Sequence, residues 1–321
     1  MGSIRRATKR QQKARLFFYG LSGSGKTTTA IEIATLLAPS SDKVVVIDTE
    51  NENSSGALDL FPDFNVLPVD APFSMDSLVK AFKEAEAFVG EGGVIIIDTI
   101  SKYWEGLGGA LDEVNKITNG NKAKTQDAWG TVTPKIAKAR ETITSSKTAH
   151  VIVTSRVKSD TIMEEYIDKT GKTRTKAVKV GLAPVFKADI EYEFHIALEF
   201  SLLTDKQGRD AQVIRNTKPP RINYFRDKQF VIPPYEADEI EQWNAKRAVA
   251  EIKYYLDQGV EVKLLDLFNK KLAEYKDVTG KDHPFVTTDF TNITEDDIRT
   301  KGKILVTDIE QAKKKLEPIP S

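Results

Sequence analysis

The chain has 321 residues, enough for one large α/β domain with an appendage, because single hydrophobic cores stop growing at about 250 residues. Cysteine is absent, which excludes disulfides, thiolate nucleophiles and cysteine-ligated zinc, and fits a cytoplasmic location. Lys plus Arg and Asp plus Glu are equal at 47 each, so any affinity for nucleic acid has to come from local clusters of charge. The apolar runs are too short to span a membrane.

The first half of the chain alternates apolar strand patterns with helical patterns. An apolar run over 14–20 ends in a glycine-rich turn, and a helix over 27–37 follows it. Such alternation predicts an α/β fold with a mostly parallel, twisted sheet that is flanked by helices. The further predicted strands are 44–48, 94–98 and 150–155, and the further predicted helices are 74–89 and 133–145.

The pattern changes after Arg156. A charged segment with a turn at 169–172, followed by strand-like stretches at 193–200 and 211–215, predicts an antiparallel β extension of the sheet. Two proline pairs then precede a helical region, which places a domain boundary near 235. We therefore expect a core over 1–235 with a basic N-terminal arm, and a mainly helical C-terminal extension over 236–321. Helices are predicted there at 238–257, 262–276 and 306–316.

The clearest chemical motif is G-x-x-x-x-G-K-[ST] at Gly20–Thr27, between an apolar strand and a helix. Its glycines let backbone N–H groups wrap phosphates, and the helix N-terminus favours an anion. Lys26 supplies a mobile positive charge, and the Thr27 hydroxyl is placed to bind Mg²⁺. The motif predicts a site for ATP and Mg²⁺. The residues expected to contact the nucleotide here are Gly20, Ser22, Gly23, Ser24, Gly25, Lys26, Thr27 and Thr28.

Two acidic residues end apolar strands and compete for the Walker-B role. Asp98 follows Val94–Ile97, and Asp48 follows an equally apolar run at 44–47. We assign Asp98 to the metal and regard Asp48 as structural. Glu50 lies two residues past its strand, where a carboxylate can orient an attacking water, so Glu50 is the candidate catalytic base beside Lys26. The alternative for Glu50 is an ordinary surface acid.

Ser155 and Arg156 end the strand over 150–155, where a polar side chain can contact the terminal phosphate of a nucleotide. Both are candidates for a nucleotide-dependent switch, although a surface ion pair would explain Arg156 equally well. A second basic group further along is a candidate for an arginine finger that reaches a neighbouring subunit. Its members are Arg215, Lys218 and Arg221.

Several basic and aromatic residues are candidates for contacts with single-stranded nucleic acid. For each of them, solvated surface or hydrophobic packing is the alternative. The three histidines have no metal-ligand spacing. The basic candidates are Arg5, Arg6, Lys9, Arg10, Lys13, Arg15, Lys116, Lys122, Lys124 and the stretch 169–179, and the aromatic candidates are Tyr103, Trp104 and Trp129.

On these residues the chain resembles a phage-type family of RecA-like ATPases, the compact AAA-labelled proteins of bacteriophage genomes that include the Sak-type single-strand annealing recombinases. The resemblance covers about residues 4–235. Its most specific parts are Lys179–Val185 and Glu191–Phe194. It also includes the P-loop and the segments 7–16, 48–51, 97–106 and 150–159.

The resemblance implies a RecA-like P-loop core in which Lys26 and Thr27 bind phosphates and metal, Asp98 is the Walker-B acid and Glu50 activates water. It also implies that the segments after Asp98 and Arg156 take the places of DNA-binding loops, and that nucleotide binds between subunits of a ring or short filament. Recombinases such as RecA carry a glutamine where this chain has Ser155-Arg156, so the residue that couples nucleotide to DNA is open.

These observations give two main hypotheses. The first is a phage ATPase, in the host cytoplasm, that binds single-stranded DNA and promotes annealing or strand exchange in recombination or replication. Its expected partners are single-stranded DNA, further copies of the chain, and a single-strand DNA-binding protein or another replication protein. The alternative is a nucleotide-gated assembly or replication accessory ATPase that acts on a protein partner. A metabolic kinase is a weaker third hypothesis, because it would not need Glu50.

Overall fold

The structure is a computed structural model, and it describes residues 12–50, 56–61, 63–167, 173–187, 190–204, 209–217, 222–235, 240–257, 264–287 and 295–316. The chain divides into two compact units, one over residues 12–256 and the other containing the residues after 256. Among the described helices, none is both long enough and apolar enough to cross a bilayer.

The first unit contains eleven strands and six helices in its described residues. The strands are β1 (Arg15–Gly20), β2 (Val44–Asp48), β3 (Asn65–Pro68), β4 (Val94–Asp98), β5 (His150–Ser155), β6 (Val157–Ile167), β7 (Thr173–Pro184), β8 (Ile196–Thr204), β9 (Asp210–Asn216), β10 (Gln229–Val231) and β11 (Glu241–Gln242). The helices are α1 (Lys26–Leu37), α2 (Met75–Val89), α3 (Ser101–Glu105), α4 (Ala110–Thr118), α5 (Thr125–Ser145) and α6 (Ala245–Asp257).

Nine of these strands form one sheet in the order β11-β10-β9-β8-β1-β5-β4-β2-β3. The pairs from β8 to β3 are parallel, whereas β9 and β10 pair antiparallel on the other side of β8. The predicted α/β fold, a mostly parallel sheet with an antiparallel extension, is confirmed. The stretches predicted at 193–200 and 211–215 form β8 and β9, which pair antiparallel with each other, and β8 also pairs parallel with β1 and so joins the extension to the parallel strands.

Successive residues of the central strands point to opposite faces of the sheet, and each face carries a hydrophobic layer. On one face, Phe18, Val46 and Ile96 pack with helices α1 and α6. On the other face, Phe17 and Ile97 pack with helices α2 and α5. The strands are therefore buried on both sides, which explains their continuous apolar sequences.

Strands β6 and β7 form a separate antiparallel hairpin that begins directly after β5. Val157 pairs with Pro184 at its base, and the backbone N–H of Val185 donates to the carbonyl of Arg156 at 2.8 Å. The hairpin thus starts and ends beside Arg156. Its predicted turn at 169–172 lies outside the described residues.

The hydrophobic core of the first unit continues past the predicted boundary at 235. Trp243 and the inner face of α6 pack in the same cluster as α1 and β1. Lys253 on α6 also donates to the carbonyl of Leu36, near the end of α1, at 2.9 Å. Residues 240–256 are thus part of the core layer that covers α1.

The second unit is a helical hairpin of α7 (Leu264–Thr279) and α8 (Glu295–Leu316). Phe268, Leu272, Leu305 and Ile309 form its small core. Nearby, the His283 ring accepts the backbone N–H of Phe285 on Nδ1 at 3.2 Å and contacts Asp308 through Nε2 at 3.0 Å.

Candidate functional site

The glycine-rich loop joins the carboxyl end of β1 to the N-terminus of α1. Gly20 sits against β8, where an added Cβ would lie 2.1 Å from the carbonyl oxygen of Phe200. Gly23 and Gly25 have φ angles of 76° and 93°, which L side chains rarely adopt. The loop therefore needs glycine at Gly20 for space and at Gly23 and Gly25 for backbone conformation.

Side chains inside the loop converge on the carbonyl oxygen of Leu21. Ser24 donates its hydroxyl to that oxygen at 2.7 Å, and Lys26 donates its ammonium group at 2.6 Å. Burial lowers the pKa of Lys26, while the Asp98 and Glu50 carboxylates raise it and Arg156 lowers it. Lys26 is thus a desolvated cation folded back on its own loop, and an anion in the loop would be a stronger partner.

Asp98 lies at the carboxyl end of β4, almost fully buried, between two hydroxyl groups. Thr27 donates to its Oδ2 at 2.7 Å, and Thr154 on β5 donates to its Oδ1. Burial raises the pKa of Asp98, whereas the hydrogen bonds from Thr154 and Thr27 lower it and the Glu50 and Asp48 carboxylates raise it. The structure therefore places the predicted metal residues Thr27 and Asp98 in direct contact.

Asp48 is the partner of Asp98 across the β2–β4 ladder, but its side chain has a different task. Its Oδ1 accepts the backbone N–H of Glu50 at 2.7 Å, which fixes the turn that follows β2. The neighbouring Thr49 hydroxyl contacts the backbone of Asp98 and Thr99. Asp48 thus positions Glu50, in line with its predicted structural role.

Glu50 and Arg156, predicted as the catalytic base and a switch residue, form an ion pair. Both Nε and a terminal nitrogen of Arg156 contact Glu50 Oε1, at 2.8 and 2.6 Å. The Arg156 side chain is 47% exposed and that of Glu50 is 21% exposed, so the pair is open to water on one side. A pair of this kind contributes about 1 kcal/mol or less, so a strong anion can displace Glu50 from Arg156.

Ser155 is placed differently from Arg156. Its side chain is fully buried, lies 3.1 Å from the Ser101 hydroxyl and donates to the carbonyl of Arg156 at 2.9 Å. Ser101 in turn accepts the backbone N–H of Arg156 at 2.9 Å. The two serines therefore hold the backbone of Arg156, and the predicted contact of Ser155 with a nucleotide stays a prediction.

A polar pocket of about 210 Å³ lies at the carboxyl ends of β1, β4 and β2, at the crossover point where open α/β sheets bind ligands. It brings together most of the predicted residues. Gly20, Ser24 and Ser155 support it from outside, while Thr99 and Gln212 line it without having been predicted. The lining residues are Ser22, Gly23, Gly25, Lys26, Thr27, Thr28, Glu50, Asp98, Thr99, Arg156 and Gln212.

The pocket offers the ligand types that Mg²⁺ prefers. The Thr27 hydroxyl and the Asp98 carboxylate, both hard oxygen donors, lie 2.7 Å apart beside the phosphate-binding loop. Their residue types and placement therefore fit a magnesium ion shared with phosphate oxygens.

Arg215, the one described member of the predicted arginine-finger group, pairs with Glu199 on β8 at 3.0 Å and does not line the pocket. Lys218 and Arg221 lie outside the described residues.

Three of the predicted basic contacts to nucleic acid are engaged elsewhere. Arg15 was predicted to belong to a free basic arm, which is wrong, because it is buried in β1 and donates to the carbonyls of Ala14, Ala149 and Thr144. Lys13 pairs with Glu91, and Lys116 pairs with Asp112 at 2.7 Å. Lys122 and Lys124 are exposed. Arg5, Arg6, Lys9, Arg10 and residues 169–172 lie outside the described residues, as do the side chains of 173–179.

The aromatic residues predicted to stack on bases contact other rings of the protein, with Tyr103 fully buried and Trp104 and Trp129 partly buried. The rings of Trp104 and Trp129 stack on each other at 5.9 Å, and Trp104 also lies 5.5 Å from Phe186. Tyr103 is fully buried against Phe73, which excludes it from stacking on a base.

A family model described as an AAA domain matches residues 12–221, which include the phosphate-binding loop, Glu50, Asp98 and Arg156. No curated protein matches the chain.

Proposed function

Since the chain belongs to the AAA domain family of nucleotide-binding proteins, we propose that it hydrolyses ATP to ADP and phosphate with Mg²⁺ as cofactor. The observation that supports this proposal is the convergence of Lys26, Thr27, Asp98 and Glu50 on one pocket. These are the groups that hydrolysis requires: a cation for the phosphates, oxygen ligands for a metal, and a base for water.

The roles follow from the contacts of each group. The N-terminus of α1 and the backbone of the loop bind the phosphates. Lys26 exchanges the Leu21 carbonyl for a phosphate oxygen, which lowers the cost of its burial. Thr27 and Asp98 would hold Mg²⁺, which, when bound, neutralises charge on the outer phosphates. Glu50 orients a water molecule and accepts its proton. The backbone of Glu50 is fixed by its hydrogen bond to the Asp48 carboxylate.

Arg156 supplies a means of coupling the nucleotide to the β6–β7 hairpin. The Arg156 side chain lines the pocket, and Arg156 is the residue directly before β6. A terminal phosphate competes with Glu50 for the Arg156 guanidinium, so binding of ATP frees the base and moves the side chain of the residue that directly precedes the hairpin. This is the kind of local change by which nucleotide binding orders switch segments in other proteins.

We propose that the hairpin contacts single-stranded DNA and that the protein acts, as the phage-type and Sak-type proteins it resembles do, in annealing or strand exchange in the host cytoplasm. The support is compositional: Lys158, Arg174, Lys176 and Lys179 all lie on its two strands. Lysines and arginines on an extended hairpin can follow a phosphate backbone.

The test is the affinity for labelled single-stranded DNA without nucleotide, with ADP and with a non-hydrolysable ATP analogue. The analogue should raise the affinity, and raising salt from about 50 to 200 mM should lower it steeply. Arg156→Ala should remove the effect of nucleotide, while Arg140→Ala, which breaks an exposed ion pair with Glu193 away from the pocket, should preserve it. This proposal is refuted if the affinity of the wild type for single-stranded DNA changes neither with nucleotide nor with salt.

A second candidate, a nucleotide-gated ATPase that acts on a protein partner, is favoured by a different observation. Val286, Ile304 and Val306 are exposed on the helical unit. Two lysines that are candidates for DNA contacts, Lys13 and Lys116, pair with acidic residues instead. In that case the chain would hydrolyse ATP in a separate steady-state assay but would bind no single-stranded DNA at low salt, with or without nucleotide.

A further inference from the structure

The phosphate-binding loop is contacted from outside by the antiparallel extension, at a point that none of the roles above uses. Gln212, in the middle of β9, lines the pocket and donates its Nε2–H to the carbonyl oxygen of Gly23 at 2.7 Å. Its own backbone carbonyl accepts the N–H of Ile232 at 2.9 Å. The backbone of Gln212 is therefore anchored in the sheet, and its side chain reaches the loop.

Space around the loop is limited on this side. A Cβ on Gly25 would lie 3.0 Å from Gln212 Oε1 and 3.1 Å from the Cδ1 atom of Ile232. Gly25 therefore rests on two side chains, one from β9 and one that follows β10. A Cβ on Gly23, in contrast, would meet nothing within 4 Å. The peptide that joins Gly23 to Ser24 is instead held by two hydrogen bonds. Gln212 donates to its carbonyl at 2.7 Å, and its own Ser24 N–H makes a longer bond of 3.4 Å to the carbonyl of Leu21.

That orientation matters for phosphate binding. The side-chain hydrogen bonds from Ser24 and Lys26 end on the carbonyl of Leu21, whereas the one from Gln212 ends on the carbonyl of Gly23. The Gly23 carbonyl and the Ser24 N–H belong to the same rigid peptide plane and point in opposite directions. Holding the carbonyl towards β9 therefore directs the N–H away from β9, where its long bond to the Leu21 carbonyl is one that an anion can replace.

We propose that Gln212 is a positioning residue for nucleotide phosphates, acting through the Gly23 peptide of the loop. This inference rests on the proposed nucleotide site and adds a residue to it that the G-x-x-x-x-G-K-[ST] motif does not contain. A loop that is oriented in advance binds phosphates without first losing conformational freedom. Since the loop holds the inner phosphates of ADP as well as those of ATP, Gln212 contributes equally to both nucleotides.

Three variants separate hydrogen bonding from packing. Gln212→Met keeps the length and bulk of the side chain but removes the donor. Gln212→Glu replaces the donor by a carboxylate facing the Gly23 carbonyl and the phosphates. Gln242→Ala, on the exposed strand β11 and away from the pocket, is the matched control.

The measurement is the Kd of the full chain for a fluorescent ATP analogue and its ADP counterpart, together with kcat, KM and the melting temperature without nucleotide. Gln212→Met should weaken binding of both nucleotides about threefold to tenfold, the range expected for one hydrogen bond. KM should rise with kcat little changed, because the loop is used in both ground state and transition state. Gln212→Glu should weaken binding more, and Gln242→Ala should behave as the wild type.

The inference is overturned if Gln212→Met and Gln212→Glu bind both nucleotides as tightly as the wild type. It is also overturned if only the affinity for ATP falls, because that result would mean direct contact with the terminal phosphate. A fall in melting temperature with unchanged Kd would also overturn it, by leaving Gln212 a merely structural residue. Failure of the wild type itself to bind either nucleotide would instead overturn the proposed function.

Discussion

Trp243 provides a sharp test of where the nucleotide-binding unit ends. Its ring is 5% exposed, meets Phe230 edge-on at a centroid distance of 5.5 Å, and donates its indole N–H to Glu32 on α1 at 3.2 Å. Removing a buried tryptophan side chain costs about 3–5 kcal/mol. The lost hydrogen bond adds little, because Glu32 is half-buried and regains water. We expect Trp243→Ala to lower the free energy of unfolding by about 4 kcal/mol.

Truncation before Trp243 removes this side chain together with helix α6. A chain that ends at residue 235 lacks Trp243 and also the buried α6 side chains of Ala245, Ala248, Val249, Ile252 and Leu256. Since domains are stable by only about 5–15 kcal/mol, this loss should prevent stable folding, whereas a chain that ends at residue 257 should fold.

The assay is urea unfolding followed by far-ultraviolet circular dichroism, with Trp243→Phe as the matched variant that keeps an aromatic ring and should lose about 1 kcal/mol. A chain ending at 235 that unfolds cooperatively at the wild-type midpoint would refute the assignment of residues 240–256 to the core.

Three further predictions test other parts of the structure. Burial lowers the pKa of His150 to about 3, whereas the unfolded value is about 6.5, so the stability it contributes is present above pH 6.5 and lost below it. This group should therefore lower the free energy of unfolding by about 1.4 kcal/mol between pH 7.5 and 5.5. His150→Asn keeps an acceptor for the Ala14 N–H and should reduce that fall by the same amount. An equal fall in the wild type and the variant would contradict this. Gly25→Ala should weaken ATP binding at least about tenfold, while Gly90→Ala, at a positive φ with open space, should lose stability and bind ATP normally, a contrast that equilibrium binding and melting curves check. Trp104→Ala should lower the free energy of unfolding by about 2 kcal/mol because the ring is packed, and the affinity for single-stranded DNA should not change. A loss of DNA affinity without a loss of stability would instead support stacking of Trp104 on a base.

Local patterns in the sequence predicted the strands and helices that carry the site. The motif at Gly20–Thr27 and the apolar runs before Asp48 and Asp98 are short-range signals, and the pocket forms where they predict it. The helix predicted over 74–89 is α2, and the Ser74 side chain caps it by accepting the backbone N–H of Ser77 at 3.0 Å.

Contacts between distant segments were not predictable in this way. Gln212 lies far along the chain from Gly23 and has no motif of its own. The pairing of β9 with β8 and of β8 with β1 brings it to the loop. The start of α5 was predicted at 133, yet the helix begins at Thr125 and includes Pro134 in its interior. Similarly, β3 is too short and polar to be recognised without its partner β2.

In the proposed function, Lys26 is required for nucleotide binding and Glu50 for the hydrolysis step. The decisive measurement combines ATP binding with steady-state ATP hydrolysis for the wild type, Lys26→Ala and Glu50→Gln. We predict that Lys26→Ala loses both activities, whereas Glu50→Gln still binds ATP and hydrolyses it about a hundredfold or more slowly. Hydrolysis by Glu50→Gln at the wild-type rate, or ATP binding that is unaffected by Lys26→Ala, would contradict the account.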